Sequence, residues 1–374
     1  MPLFKILAKH CNLKVFYTWG EKGAGAKYDP DFKKVISWDL PLLANYDYEF
    51  LINSAKDPGS HHYRGIVNPD LAKKITAFHP DAILVYGWAY QSHLSAMRYF
   101  KGKIPIWFRG DSTLIDEQKG FKGLFRRSFL RWVYKHGDLA FFVGTANKAY
   151  FKKFGLKENQ LVFAPHAIDN DRFAINRKAE VDLLRKKLNV IADDILILFA
   201  GKLEAKKNPE LLLNAFKALK LKKIHLLFVG NGELEAILKS KAKTADKTTL
   251  TTTNLHFIDF QNQTQMPLIY QACDLFCLPS QGPGETWGLA VNEAMAASKA
   301  ILISNKVGCA ADLVKNGVNG YIFESNNGKD LNDKLNLLVK NKTVLANMGK
   351  KSSGIIKNWR IEIQAAAILK ELNN

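Results

Sequence analysis

Two short segments carry residue types whose spacing could do chemistry. In Phe199-Ala200-Gly201-Lys202-Leu203-Glu204-Ala205-Lys206-Lys207-Asn208-Pro209, an apolar run ends in a glycine, and a loop flanked by Lys202 and Lys207 follows. Two ammonium groups at a strand end are placed to neutralise a diphosphate. In Pro279-Ser280-Gln281-Gly282-Pro283-Gly284-Glu285-Thr286-Trp287-Gly288-Leu289-Ala290-Val291-Asn292-Glu293-Ala294-Met295-Ala296, a second apolar run ends at Pro279 and a helix begins near Trp287. Backbone amides of Gly288 and Leu289 would face an anion there. Glu285 sits in the loop and Glu293 about two turns into the helix, and each carboxylate can accept two hydroxyl hydrogen bonds, as sugar recognition requires. The plain alternatives are a basic surface turn and a capped helix with one solvated glutamate.

The elements that must position these residues alternate. Apolar, β-branched or aromatic runs lie at 13–17, 82–86, 104–108, 139–143 and 161–164, then at 195–200, 224–229, 255–258, 274–279, 300–303 and 320–323. They read as strands buried on both faces, as parallel sheets require. Helical patterns lie between them; 210–219 puts Leu211, Leu212, Ala215, Phe216 and Leu219 on one stripe, and 289–297 is rich in alanine. The alternation predicts an α/β chain of two doubly wound, Rossmann-like domains. We place them at 1–170 and 190–355, with a charged linker at 171–189 and a last helix within 356–374 that folds back on the first domain. The stretch 243–254, rich in threonine, reads as an exposed loop.

The chain has 374 residues with 54 Lys and Arg against 35 Asp and Glu, a net charge of +19. Such an excess favours an anionic partner: nucleic acid, an acidic membrane surface or a phosphorylated substrate. Cys11, Cys273, Cys277 and Cys309 form no CxxC pair, so a zinc site lacks its usual spacing, and reduced thiols are expected. No apolar run reaches the length of a spanning helix, and the first residues lack the core of a signal peptide, so a cytoplasmic protein is expected.

With both segments in view, the sequence resembles the retaining glycosyltransferases of the GT-B fold, the family of glycosyl transferases group one (glycosyltransferase family four). The matching pieces are Gly201-Lys202-Leu203…Lys207, the glutamates Glu285 and Glu293, Leu226-Leu227-Phe228-Val229-Gly230-Asn231-Gly232, Phe257-Ile258-Asp259-Phe260, Ala272–Ser280, Val307-Gly308 and Asn316-Gly317-Val318-Asn319-Gly320. The likeness is specific across about 195–325 and weaker before it. It implies two domains facing a cleft and transfer of a sugar, with retention and without metal or cofactor, from a UDP- or GDP-linked donor to a saccharide or lipid-linked acceptor. Synthesis of cell-surface polysaccharide or glycolipid would be the setting. By the same resemblance, Lys202 and Lys207 would neutralise the diphosphate beside Gly201. Glu293 would hold the ribose and Glu285 a hydroxyl of the donor sugar. Thr286, Trp287, Gly288 and Leu289 would line sugar and phosphate, and Phe257, Ile258 and Asp259 would lie beside the base. Glu285, Lys202 and Lys207 would carry the catalysis. Three departures stand out: Lys202 where arginine is common, Cys309 and Asp312 where the family often has Gly and Glu, and Phe108-Arg109-Gly110-Asp111-Ser112 where a histidine is usual.

The first half offers weaker candidates for acceptor or cleft contact: Gly23 and Gly25 in the loop after the first strand, Arg109 and Asp111, and His166 at the hinge. A flexible loop, an internal ion pair and a packed hinge histidine are their respective alternatives. His61 and His62 have no carboxylate or cysteine partner at metal spacing and read as loop residues. Asp29-Pro30-Asp31 and Asp169-Asn170-Asp171 are Asp-x-Asp pairs in a proline-broken loop and a hinge turn, and no metal is expected. The stretch 119–135 interleaves aromatic and basic residues, the pattern of a helix docking on an anionic membrane, with an ordinary core-facing helix as the alternative. The competing functional class is a basic nucleic-acid-binding protein, or a non-catalytic nucleotide-binding protein on the same fold; no helix-turn-helix, RNP or zinc pattern supports the first, and no nucleic acid is expected as partner.

Overall fold

A computed structural model describes residues 1–23, 25, 27–29, 32, 34–117, 120–243 and 254–373. Most of the threonine-rich stretch therefore lies outside the described residues, as do Ala24 and Ala26 of the first glycine loop, Pro30 and Asp31 of the first Asp-x-Asp pair, and Lys119. The described strands are β1 (Lys14–Tyr17), β2 (Lys27–Asp29), β3 (Lys34–Ile36), β4 (Asp47–Phe50), β5 (Ile83–Tyr86), β6 (Ile106–Arg109), β7 (Leu139–Phe142), β8 (Leu161–Phe163), β9 (Ile195–Ala200), β10 (Ile224–Val229), β11 (Leu255–Ile258), β12 (Leu275–Leu278), β13 (Ala300–Ser304) and β14 (Gly320–Phe323).

The chain divides into two units. One comprises Met1–Lys27, Pro41–His166 and Ile361–Asn374, the other Tyr28–Leu40 and Ala167–Arg360. Residues 28–40, which the sequence alone assigns to the first domain, group with the second unit.

In the second unit six strands form one parallel sheet in the order β11-β10-β9-β12-β13-β14. Counted from β9 this is three-two-one-four-five-six, the doubly wound Rossmann order. β9, β10, β12 and β13 are buried at every residue, because helices cover both faces and no side chain can turn to water. The helix Pro209–Leu219 opens on a proline suited to a first turn and buries Leu212, Leu213, Ala215, Phe216 and Leu219.

The first unit holds a parallel sheet β5-β6-β7-β8 and a parallel pair β1-β4. Its core gathers Val85, Met97, Phe100, Ile106, Phe108, Leu130, Tyr134, Tyr150 and Phe151. The last helix, Ile361–Leu372, packs in this unit against the helix Pro2–Leu7, as expected of a chain end that folds back. The sequence reading missed β2, β3 and β4. They are three or four residues long and carry charges such as Asp47 and Glu49, so they show no apolar run.

All four cysteines are free thiols, and burial pushes Cys273 up to about 12. Among the described residues no helix is long and apolar enough to cross a membrane.

Candidate functional site

In the second sheet the strand order reverses between β9 and β12, and ligands of open α/β sheets bind beyond the carboxyl ends of the strands at such a point. The loops leaving these two strands carry Lys202, Lys207 and Glu285. They are tied together: Gln281 donates its backbone N–H to the Lys206 carbonyl at 2.8 Å and its side-chain amide to the Ala205 carbonyl at 2.7 Å. Across that tie, Lys207 Nζ reaches Glu285 Oε2 at 2.6 Å, and Ser280 Oγ donates to the same oxygen at 3.0 Å. Glu285 is 9% exposed and the Lys207 side chain 16%. A buried charge pair of this kind is strongly destabilised when one partner is removed.

Backbone contacts hold both loops in place. Gly230, at φ +133°, approaches Gly201 so closely that a Cβ would sit 2.1 Å from the Gly201 carbonyl oxygen. Leu203 N–H then donates to Asn231 at 2.9 Å, bracing the Lys202 loop against the loop after β10. On the other side, Gly308 and Cys309 donate to the carbonyls of Glu285 (3.0 Å) and Trp287 (2.9 Å). A Cβ at Gly308 would lie 1.7 Å from the Thr286 carbonyl oxygen, so only glycine allows this strap. Cys309 follows it at φ −83°, an ordinary conformation for a side-chain-bearing residue. The buried Trp287 indole donates to Asn292 at 2.8 Å, and Gly288 caps the helix Leu289–Ala296.

Glu293 lies on that helix and accepts a hydrogen bond from Tyr270 at 2.7 Å. The residue keeps some surface open, yet its carboxyl lies deep enough that burial pushes it up to about 7, with the Tyr270 hydrogen bond and then Arg172 opposing. Phe257, Ile258 and Asp259 end β11 two strands from β9. Phe257 stacks on Phe228 with centroids 5.3 Å apart, and Asn231 donates to Asp259 at 3.1 Å. Lys34 pairs with Asp259 at 2.6 Å, holding that carboxyl below its usual range together with Asn231.

Lys34 belongs to a feature the sequence did not signal. Within the second unit, the described residues of segment 28–40 lie along these strand ends. Asp29 sits 3.2 Å from Lys202 Nζ, the Phe32 ring 5.1 Å from the same nitrogen, and Phe32 meets Phe260 edge-on at 4.9 Å. Lys202 thus faces a carboxylate where the sequence reading placed a diphosphate. Ser280, Tyr270 and Asp29 were not among the expected site residues. Ser280, directly after the strand-ending Pro279, and Asp29, in an Asp-x-Asp pair read only for metal, stood in segments already singled out; Tyr270 did not.

The candidates of the first unit are arranged differently. Arg109 is 4% exposed and donates to the carbonyls of Ala164 (2.9 Å) and Pro165 (3.0 Å), so its guanidinium fastens the chain leaving β8. His166 is brought down to about 4 by burial and then by Arg109, with Asp111 opposing, and is neutral near pH 7. Gly23 and Gly25 lie in the exposed loop after β1. The hinge pair Asp169 and Asp171 is structural: Asp169 caps a helix by accepting from Arg172 N–H at 3.2 Å, and Asp171 pairs with Arg360 at 2.7 Å. One expectation is corrected. His61 and His62 do have a carboxylate neighbour, Asp57, at 3.5 and 3.2 Å from their Nε2 atoms. Bends at Lys56 and Asp57 and from Gly59 to His62 bring the chain back onto it.

Residues 180–354, which contain the tied loops and both glutamates, match the family model of glycosyl transferases group 1. That segment, just under half of the chain, is of the group 1 type. The chain is 34% identical over 145 residues to the lipopolysaccharide 1,2-N-acetylglucosaminetransferase of Salmonella typhimurium, a stretch covering 37% of this chain and 38% of that one. It is 28% identical over 249 residues to the N,N'-diacetylbacillosaminyl-diphospho-undecaprenol alpha-1,3-N-acetylgalactosaminyltransferase of Campylobacter jejuni, covering 65% and 62%. The chain therefore spans less than two thirds of the length of either curated relative. Among solved structures, that of Anabaena HepE in complex with UDP and glucose superposes with a TM-score of 0.67 at 20% identity, over 88% of this chain and 86% of that one. Sucrose-phosphate synthase of Thermosynechococcus elongatus gives 0.71 at 15% identity, over 100% and 91%. The fold of the chain is GT-B, with a Rossmann-like sheet in each unit.

Proposed function

We propose that this chain is a glycosyltransferase that moves a sugar, with retention, from a UDP- or GDP-linked donor to a saccharide or lipid-linked saccharide acceptor. The observation that carries the reading is the Lys207–Glu285 pair, buried where the strand order reverses, with Lys202 in the same loop as Lys207. Breaking the glycosyl–phosphate bond builds negative charge on the departing diphosphate, and fixed ammonium groups stabilise that charge as it forms. Lys202 and Lys207 supply them, so the reaction needs no metal ion at the donor. Glu285 accepts a hydroxyl hydrogen bond from the donor sugar, Glu293 accepts from the ribose, and Trp287, Gly288 and Leu289 border the sugar and phosphate. Retention follows when the acceptor oxygen bonds the anomeric carbon on the face the diphosphate leaves. The acceptor proton passes to a departing phosphate oxygen, and no side-chain base is needed.

The relatives named above act on lipopolysaccharide and on a diphospho-undecaprenol glycan, and we place this chain in the same class of cell-surface glycan synthesis, on the cytoplasmic face of a membrane. The helix Phe121–Tyr134 supports a peripheral membrane partner. Leu124, Phe125, Phe129 and Trp132 are exposed, Phe125 at 79%, among exposed Arg126, Arg127 and Arg131. Apolar side chains flanked by arginines suit an anionic leaflet.

The test is thermal stabilisation by UDP, GDP, dTDP, ADP, CMP and NAD without metal. A nucleotide at roughly 100 times its dissociation constant adds about 2.7 kcal/mol. A shift with one nucleoside diphosphate supports the donor site and identifies the base; folded protein that shifts with none overturns the reading.

A further inference from the structure

The loop joining β4 to the helix Leu71–Phe78 brings together three metal-ligating side chains that the sugar-transfer reading does not use. We propose that Asp57, His61 and His62 bind a divalent cation of the zinc class. His61 Nε2 lies 3.5 Å and His62 Nε2 3.2 Å from Asp57 Oδ2, and one ligand atom from each of the three residues lies within 4.8 Å of the others. A tetrahedral ion with bonds of roughly 2.0–2.1 Å spaces its ligand atoms about 3.4 Å apart. Both edges to Asp57 match that spacing, and His62 Nε2 also lies 3.0 Å from the Asp57 main-chain carbonyl oxygen, a contact that a bound ion would replace as the side chains rotate onto it.

The backbone beneath is already ordered. Asn53 accepts from the N–H groups of Ala55 (3.1 Å) and Val67 (2.9 Å) and donates to the Gly65 carbonyl (2.9 Å), pinning both ends of the loop. Gly59 N–H donates to the Gly65 carbonyl at 3.1 Å, and Tyr90 donates to the Ser60 carbonyl at 3.2 Å. A Cβ on Gly65 would lie 2.0 Å from the Gly59 carbonyl oxygen, which shows how tightly the loop closes. Pro58, directly after Asp57, fixes its own φ and biases Asp57 towards extended backbone. Ligands held on such a loop lose less entropy on binding than ligands on a free one.

The donor set selects the ion. Two imidazole nitrogens and one carboxylate oxygen suit Zn2+ and its late first-row neighbours, whereas Mg2+ and Ca2+ take oxygen ligands. Three protein ligands leave a position open to water or to an anionic oxygen, as in zinc sites that bind a further ligand. The site stands in the first unit and is independent of the donor reading.

The experiment is calorimetric titration of the chelator-stripped full chain with ZnCl2 and, separately, MgCl2. One Zn2+ per chain and no Mg2+ uptake at the same concentrations are expected. Asp57→Asn and His62→Ala should each weaken Zn2+ binding by at least about tenfold, since even partners of the ligands contribute that much. His10→Ala and Cys11→Ser, which alter another exposed histidine and the one thiol that is not buried, should leave it unchanged. Unchanged melting temperatures without metal would show that the loop variants fold. Zn2+ uptake that survives both loop variants, or no uptake by the parent chain, would overturn the proposal and leave Asp57–His62 as a hydrogen-bonded turn.

Discussion

The carboxyl ends of the strands use their charges in opposite ways in the two units. In the second unit Lys207 and Glu285 meet each other across two loops, Ser280 holds the carboxylate, and Lys202 meets Asp29. Side chains pair with side chains, and a charged ligand can exchange for a partner. In the first unit Arg109 is committed to two main-chain carbonyls, and His166 beside it is kept neutral by burial. Charge there sets the course of the chain. The difference teaches that a charged residue at a strand end is not by itself a ligand contact: what it already holds decides.

That contrast can be broken at four points. The largest effect is expected from Lys207→Ala, which strands a buried Glu285 and, on the proposed reading, removes a cation from the departing diphosphate. One charge-assisted contact at about 1.5–3 kcal/mol alone corresponds to a ten- to hundredfold rate loss, so transfer should fall about a hundredfold or more. Steady-state transfer on folded protein checks it; near-normal turnover would remove the pair from the site.

Arg109→Ala should act on stability, by about 2–4 kcal/mol for two charged hydrogen bonds to buried carbonyls, and leave nucleotide binding intact. Denaturant unfolding with a parallel nucleotide titration separates the two. A variant that kept its stability and lost acceptor affinity would make Arg109 a contact residue after all.

Glu293 offers a pH test. Its carboxyl titrates near 7 in the folded chain and lower when unfolded, so the fold holds that proton more tightly. Its contribution to stability is greatest below the unfolded value and is lost as pH rises through about 7. Glu293→Gln should therefore stabilise the ligand-free chain at pH 8, on the order of 2 kcal/mol once the residue's open surface is discounted, and hardly at pH 4.5. Melting curves at both pH values decide; equal shifts would mean the carboxyl is not perturbed.

The smallest effect belongs to Asp29→Asn. An ion pair still open to water on both sides is worth about 1 kcal/mol, so freeing Lys202 should tighten nucleoside diphosphate binding by no more than about fivefold. Weaker binding would show that Asp29 assists the ligand instead of competing with it.

Much of the second unit was legible without coordinates. Strands buried on both faces are written as unbroken apolar runs, and β9, β10, β11 and β14 fall on their expected bounds. Lys202, Lys207, Glu285 and Glu293 were legible because each follows such a run or rides the helix after it. The β2, β3 and β4 strands were not, because strands of three or four residues take their pairing from neighbours and leave no periodic trace. Gly308 showed as a motif, but the carbonyl it must clear belongs to Thr286, 22 positions earlier.

The order of strands, the identity of the loop-ending residues and the excess of basic charge are properties of the amino-acid string, since local propensity and burial pattern write them residue by residue. Partnership is not. That Lys207 chose Glu285, Lys202 chose Asp29, Glu293 chose Tyr270 and Arg109 two carbonyls depends on contacts between segments 23 to 173 residues apart. Such contacts form only when helix and sheet packing have brought those segments together, and a buried charge must then take whichever partner that packing puts within reach.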